Sequence, residues 1–315
     1  MVSGMAESSG FPDVPLLLLG RLDGRLYNSP AADIWTARMR LRGAVELATL
    51  AGLPVGMEAL EGWISGRTAP PRHGEGLNDP LSVAALFHFA LSAEESARDP
   101  VARATLNMLR TLLDDRAEAE IWAPADLVRF GPVWRRAQAL LTAPFAKTGI
   151  RPLAERILAV RTALPVEIAG DEPLVTSIDG RQLRFAGPRF DINWIIACHL
   201  PAALEACGLT MRRLPSFVAL PRFLPTEPGV LDGQLRAMIG AQAHRGLSEL
   251  DRLERQVRAI APALGVTRRS RAPLLMRLSL AYPGLSVAAA ARLLGVSHQG
   301  ATKLLRQVRN AAFPD

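Results

Sequence analysis

Apolar residues recur every three or four positions along most of this chain, a spacing that predicts helix in nearly every segment. Ala31 to Ala51 reads AADIWTARMRLRGAVELATLA and places Ile34, Met39, Leu41, Val45, Leu47 and Leu50 near one face. Gly52-Leu-Pro then stops it. Helical patterns start at Leu16, a short helix is expected from Gly56 to Ile64, and amphipathic spacing marks 80–93, 99–114, 124–142, 151–163 and 191–207. Leu231 to Ile260 reads as one long helix, with Leu247, Leu250, Leu253, Val257 and Ile260 in a stripe that suits core packing or a coiled seam.

Two segments depart from this period. Val175 to Phe185, VTSIDGRQLRF, sets Asp179-Gly180 between short alternating runs, the signature of a β-hairpin with a two-residue turn. Pro215, Pro221, Pro225 and Pro228 forbid a regular helix between Gly208 and Pro228, which reads as a linker or crossover. The expected fold is therefore mainly α. A disordered tail occupies 1–14, and a multi-helix front domain with one small β-hairpin spans 15–228. A long linking helix covers 229–262, and a C-terminal helix-turn-helix covers 268–315.

The last of these rests on Leu285 to Val308, LSVAAAARLLGVSHQGATKLLRQV. A helix from Pro273 to Tyr282 should end at Pro283-Gly284, Ser286 should cap Val287 to Leu294, and Ser297 should cap a third helix reaching about Asn310. Ala291 is small where two helices would cross, and Gly295 stands where the turn needs a left-handed residue. Ala290, Leu294, Val296, Ala301 and Leu304 fall at positions that must be apolar to lock the pair, and Leu305 and Val308 extend the stripe. The opposite face carries Ser297, His298, Gln299, Thr302 and Lys303, suited to base edges. Arg306 and Arg309 on that helix, with Arg268, Arg269 and Arg271 upstream, suit phosphates.

Charge sharpens this picture. Residues 251–315 hold eleven Lys/Arg against three acids, a local +8 in a chain whose total is +7. The remaining residues thus sum to −1, and the basic excess sits with the motif, as a phosphate-facing module requires. Aromatic residues at 5% against 49% hydrophobic overall favour helix over strand. Cys198 and Cys207 form no CxxC pair and read as free buried thiols, which argues against a disulfide scaffold or zinc ribbon. Pro15 to Leu19 is too short to span a bilayer and lacks a basic flank, so a soluble, cytoplasmic, nucleoid-associated protein is expected.

The stretch from Gly246 to Val308 resembles the end of an uncharacterised bacterial family common in rhizobia, in which a long helix leads into a helix-turn-helix thought to bind DNA. LGRLDGRLYNSP and AVELATLAGLPVGMEALEGWI are similar to the helical N-terminal region of Fic/Doc-type proteins, a resemblance that implies AMP transfer. The residues that chemistry needs are missing. The histidines occur as His73-Gly, His88-Phe, His199-Leu, His244-Arg and His298-Gln, none opens HPFxxGNGR, and Ala51 stands where the glutamate of the inhibitory pattern belongs. Nor does the chain carry a P-loop, HExxH, GxSxG or Rossmann glycine run.

The expectation is a DNA-binding protein, without catalytic residues, metal or cofactor, acting in transcription or in plasmid or mobile-element maintenance. Double-stranded DNA is the expected partner, with helix 231–260 as the candidate homodimer seam. The rivals are a helical scaffold that binds protein instead of DNA and, further off, a diverged enzyme.

Overall fold

Helices form where the apolar period predicts them, and their ends follow local chemistry. The computed structural model describes residues 13–68, 80–93, 99–106, 131–164, 174–176, 182–184, 192–264 and 270–312. Helix α1 (Val14–Asn28) is opened by Asp13, whose carboxylate accepts the Leu16 N–H at 3.5 Å. Asp13 and Val14 thus belong to a helix start and not to the expected tail; residues 1–12 lie outside the described residues. Next come α2 (Ala32–Leu50), α3 (Met57–Ile64), α4 (Pro80–Ala93), α5 (Gly131–Thr142), α6 (Ile150–Ala163) and α7 (Asn193–Ala206). After the proline-rich stretch come α8 (Pro228–Ile260), a short 3-10 turn (Pro262–Leu264), α9 (Ala272–Ala281), α10 (Val287–Leu294) and α11 (His298–Ala312). Residues 100–106 are also helical. The architecture is mainly α.

Strands β1 (Leu174–Thr176) and β2 (Gln182–Arg184) pair antiparallel, with Thr176 opposite Gln182. A two-residue turn at Asp179-Gly180 would instead set Thr176 opposite Leu183. The observed register is one residue off, so the connection holds an odd number of residues, as three- and five-residue hairpin loops do. The turn positions themselves lie outside the described residues.

α2 is the central helix. Ile34, Trp35, Met39, Leu41, Ala44 and Leu47 are all buried, on more than one side, because α1, α3, α4, α7, α8 and α9 each pack against it. α8 is about 50 Å long at the helical rise. It crosses α2 closely at Gly246, where an added Cβ would lie 2.9 Å from Leu22 and 3.1 Å from the Trp35 ring. The Trp35 indole N–H donates to the Gly246 carbonyl at 2.8 Å, satisfying a donor that is sealed from water.

The leucine stripe of α8 is consumed in the same way. Leu231, Leu235, Ile239, Leu247, Leu250, Leu253 and Val257 are buried within the chain. This corrects the expectation of a homodimer seam along 231–260: the apolar face is already covered, chiefly by α1 and α6.

The last three helices share this core, which runs without interruption from Leu19 to Ala311. Arg277 of α9 donates to Asp33 at 2.5 Å and to the Pro30 carbonyl at 3.0 Å. Arg38 of α2 donates to Glu249 at 2.5 Å and to the Ala281 carbonyl at 3.3 Å. Directly after Ala281 sits Tyr282, fully buried, with its hydroxyl 2.8 Å from Thr105 and 3.5 Å from His88. Burial pushes the Tyr282 phenol up and the His88 imidazole down to about 3, so both are neutral across the physiological range. Further along, the Ser286 N–H donates to the Ser65 carbonyl at 2.9 Å, tying the start of α10 to the end of α3.

Two measurements check this account. Tyr282→Phe removes the hydroxyl with its bond to Thr105 and its longer one to His88 and keeps the ring, so chemical denaturation is expected to show a loss of about 1–2 kcal/mol; Tyr282→Ala also opens a cavity and is expected to cost about 3–5 kcal/mol. A Tyr282→Phe variant as stable as the parent would mean the hydroxyl is irrelevant. Glu46, half-buried on α2 beside Gln242, is pushed from 4.5 up to about 7 by burial, with Arg245 and Arg42 opposing. The folded state therefore binds this proton more tightly than the unfolded chain, and stability falls as pH rises from about 4.5 to about 7. Glu46→Gln is expected to flatten that fall and to be the more stable protein at pH 8, by on the order of 2 kcal/mol. An unchanged pH profile in thermal melts would refute it.

Candidate nucleic-acid interface

The geometry around α11 is built from its two flanking turns. Ser286 caps α10 by accepting the Ala289 N–H at 3.1 Å. At the other end Gly295 adopts φ 60° and ψ 45°, the left-handed conformation. The Val296 N–H then reaches the Ala291 carbonyl at 3.0 Å, and the Gly295 N–H reaches Arg292 at 3.3 Å. That pair of bonds is the Schellman arrangement, which stops a helix while satisfying its last carbonyls. The Leu294 carbonyl takes its bond from Arg271 at 2.6 Å. Ser297 follows directly, and its hydroxyl accepts the Gly300 N–H at 3.2 Å to start α11.

Ala301, Val308 and Ala311 bury one side of α11, with Leu304, Leu305 and Ala312 half-buried beside them. α11 packs on α8, α9, α10 and the 3-10 turn, and Gln307 donates to the Leu264 carbonyl at 3.0 Å. Its other face is open. Gln299, Lys303, Arg306 and Asn310 are exposed at positions i, i+4, i+7 and i+11, which line one side of a helix.

The candidate residues divide by what they do inside the protein. His298, Gln299, Lys303, Arg306 and Arg309 are exposed and make no side-chain hydrogen bond or ion pair among the described residues. Ser297 is exposed but serves as a cap. Thr302 is half-buried, and its hydroxyl donates back to the His298 carbonyl at 2.9 Å. Arg271 is exposed yet engaged with Leu294, so its part is to finish α10. Arg268 and Arg269 lie outside the described residues.

The basic excess of this segment is also partly neutralised internally. Arg252 pairs with Glu249 at 2.7 Å, Arg258 with Glu254 at 3.0 Å and Arg277 with Asp33 at 2.5 Å. Sequence reasoning passed over Asn310, Arg255 and Arg292, all exposed and without such partners among the described residues. Asn310 was findable, because it continues the Lys303 stripe by seven positions. Arg292 was findable too, because no acid lies three or four positions from it, as Glu249 and Glu254 do from Arg252 and Arg258. Arg255 was not, since Asp251 stands four positions before it but pairs with Arg25.

Other chemistry is thin. No cluster of three or more His, Cys, Asp or Glu suited to a metal ion occurs among the described residues. Both cysteines are buried and free of disulfides, the Cys207 thiol donating to the Gly149 carbonyl at 3.5 Å, and burial pushes the Cys198 thiol up, away from the thiolate a nucleophile needs. Burial lowers His199 to about 4, with its ring 4.2 Å from that of Trp134. No helix among the described residues is long and apolar enough to cross a membrane.

No protein-family model matches this chain, and no curated protein or solved structure matches it either. The rhizobial and Fic/Doc resemblances therefore rest on the residues quoted for them.

The turn can be tested without steric interference, because nothing lies within 4 Å of a Cβ built on Gly295. Gly295→Ala is expected to cost about 1 kcal/mol in chemical denaturation, and Gly295→Asn less, since asparagine tolerates the left-handed region. Equal stability of the alanine variant would contradict the conformation.

Proposed function

We propose that this chain binds double-stranded DNA, with α10 and α11 as a helix-turn-helix and α11 as the reading helix. The observation that carries the reading is the open face of α11, where Gln299, Lys303, Arg306 and Asn310 stand exposed in one row. In the major groove such a row meets base edges at its N-terminal end and phosphates further on.

On this reading Gln299 and Lys303, with His298, Ser297 and Thr302 around them, approach base edges. Arg306 and Arg309 approach phosphates, joined by Arg268 and Arg269; Arg271 contributes by shaping the turn. The role is regulation of transcription or of plasmid or mobile-element maintenance by a nucleoid-associated protein. The front helices act as the frame that holds the reading helix still.

Fluorescence anisotropy of the full chain with labelled duplex DNA across a salt series tests this. Log affinity is expected to fall linearly with log salt. Lys303→Ala combined with Arg306→Ala is expected to weaken binding at low salt at least tenfold and to make the slope shallower by about 2. Binding indifferent to salt and to both substitutions would overturn the proposal. A saturable protein partner captured by the same face, with no duplex affinity, would favour the scaffold reading.

A further inference from the structure

Behind the open face of α11 lies a cavity of about 560 Å³ bounded by α8, α9, α11 and the turn after α9. Its size falls within the range of small-molecule sites. Ile260, Met276, Leu280, Leu285 and Leu305 make its walls apolar. Two arginines line it, and they differ. Arg252 is held by Glu249 through bonds of 3.0 and 2.7 Å, so its charge is already neutralised. Arg309 is exposed and pairs with nothing among the described residues. The other polar lining residues are Gln256, which accepts from Arg252 at 3.1 Å, and Ser279 of α9, whose buried hydroxyl has no hydrogen-bond partner among the described residues.

An apolar chamber of this size with one uncommitted guanidinium has a definite chemical complement. Apolar walls select a hydrocarbon body, and the guanidinium selects a carboxylate, which it binds through two parallel N–H bonds. A peptide would need partners for its backbone groups, which the largely apolar walls do not supply. We propose that this cavity binds an amphipathic monocarboxylic acid of the medium-chain fatty acid type, with its carboxylate on Arg309.

The site reports to α11 because Leu305, Val308 and Arg309 belong to both. A carboxylate on Arg309 withdraws that cation from phosphate. The acid therefore acts as a negative effector, a consequence that rests on the DNA-binding reading, whereas the binding site itself does not.

Calorimetric titration of the full chain with decanoate, decanol and decylamine tests the site directly. Decanoate is expected to bind saturably and at least tenfold more tightly than decanol or decylamine. Arg309→Gln is expected to erase that preference for the acid. Ala259→Trp fills the cavity from an exposed lining position and is expected to abolish binding with the circular dichroism spectrum unchanged. No saturable binding, or equal binding of acid and alcohol, overturns the proposal. So does concentration-dependent dimerisation that Ala259→Trp abolishes, since a second copy would then be the occupant. In the anisotropy assay, saturating decanoate is expected to weaken duplex binding several-fold and to make the salt slope shallower by about one contact. Decanoate binding in a protein without duplex affinity would sink the DNA reading and leave the acid site standing. Duplex binding that decanoate leaves unchanged would remove the effector role.

Discussion

A phenol sealed from water must find a hydrogen-bond partner inside the protein, and the placement of the last three helices follows from how Tyr282 meets that demand. Its partner, Thr105, comes from a segment 177 residues earlier in the chain. The ring follows α9, which packs on α2, and there Arg38 and Arg277 fasten that helix. Those charged clamps are partly exposed and contribute direction more than strength. The apolar contact beneath them supplies the energy. α10 and α11 inherit their position from α9, so the orientation of the open polar face is set deep in the core.

The same packing sorts the arginines. As a string of residues the C-terminal segment is uniformly basic, but in three dimensions it contains two populations. One is engaged with carboxylates or helix-end carbonyls and holds the fold: Arg252, Arg258, Arg271 and Arg277. The other is left facing solvent: Arg255, Arg292, Lys303, Arg306 and Arg309. Only the second population is available to a charged ligand, and net charge alone overstates the strength of such a surface. Arg309 has a double position, beside the open polar face of α11 and at the edge of the apolar cavity behind it.

Much of the local structure was legible beforehand because its causes are local. Ser286 and Ser297 cap helices since a hydroxyl beside free N–H groups does so in almost any context, and Gly295 turns left-handed because only glycine does so without strain. The hairpin register was misread by one residue, because Asp-Gly signals a turn without saying how many residues flank it. The start of α1 was misread too: the run before Pro15 is polar, and Asp13 gains its capping role only beside the leucines that follow and the arginine of α8 that pairs with it.

The helices, their caps and the turn between α10 and α11 were thus determined by the sequence itself, since period, caps and glycine act over a few residues. Tertiary structure alone decided what covers the α8 stripe, which arginines stay uncommitted and where a cavity remains. An apolar face states that it must be buried without stating by what, and a guanidinium such as that of Arg277 is paired by a carboxylate, Asp33, that stands more than two hundred positions away in the chain. Those outcomes depend on distances the linear order does not contain.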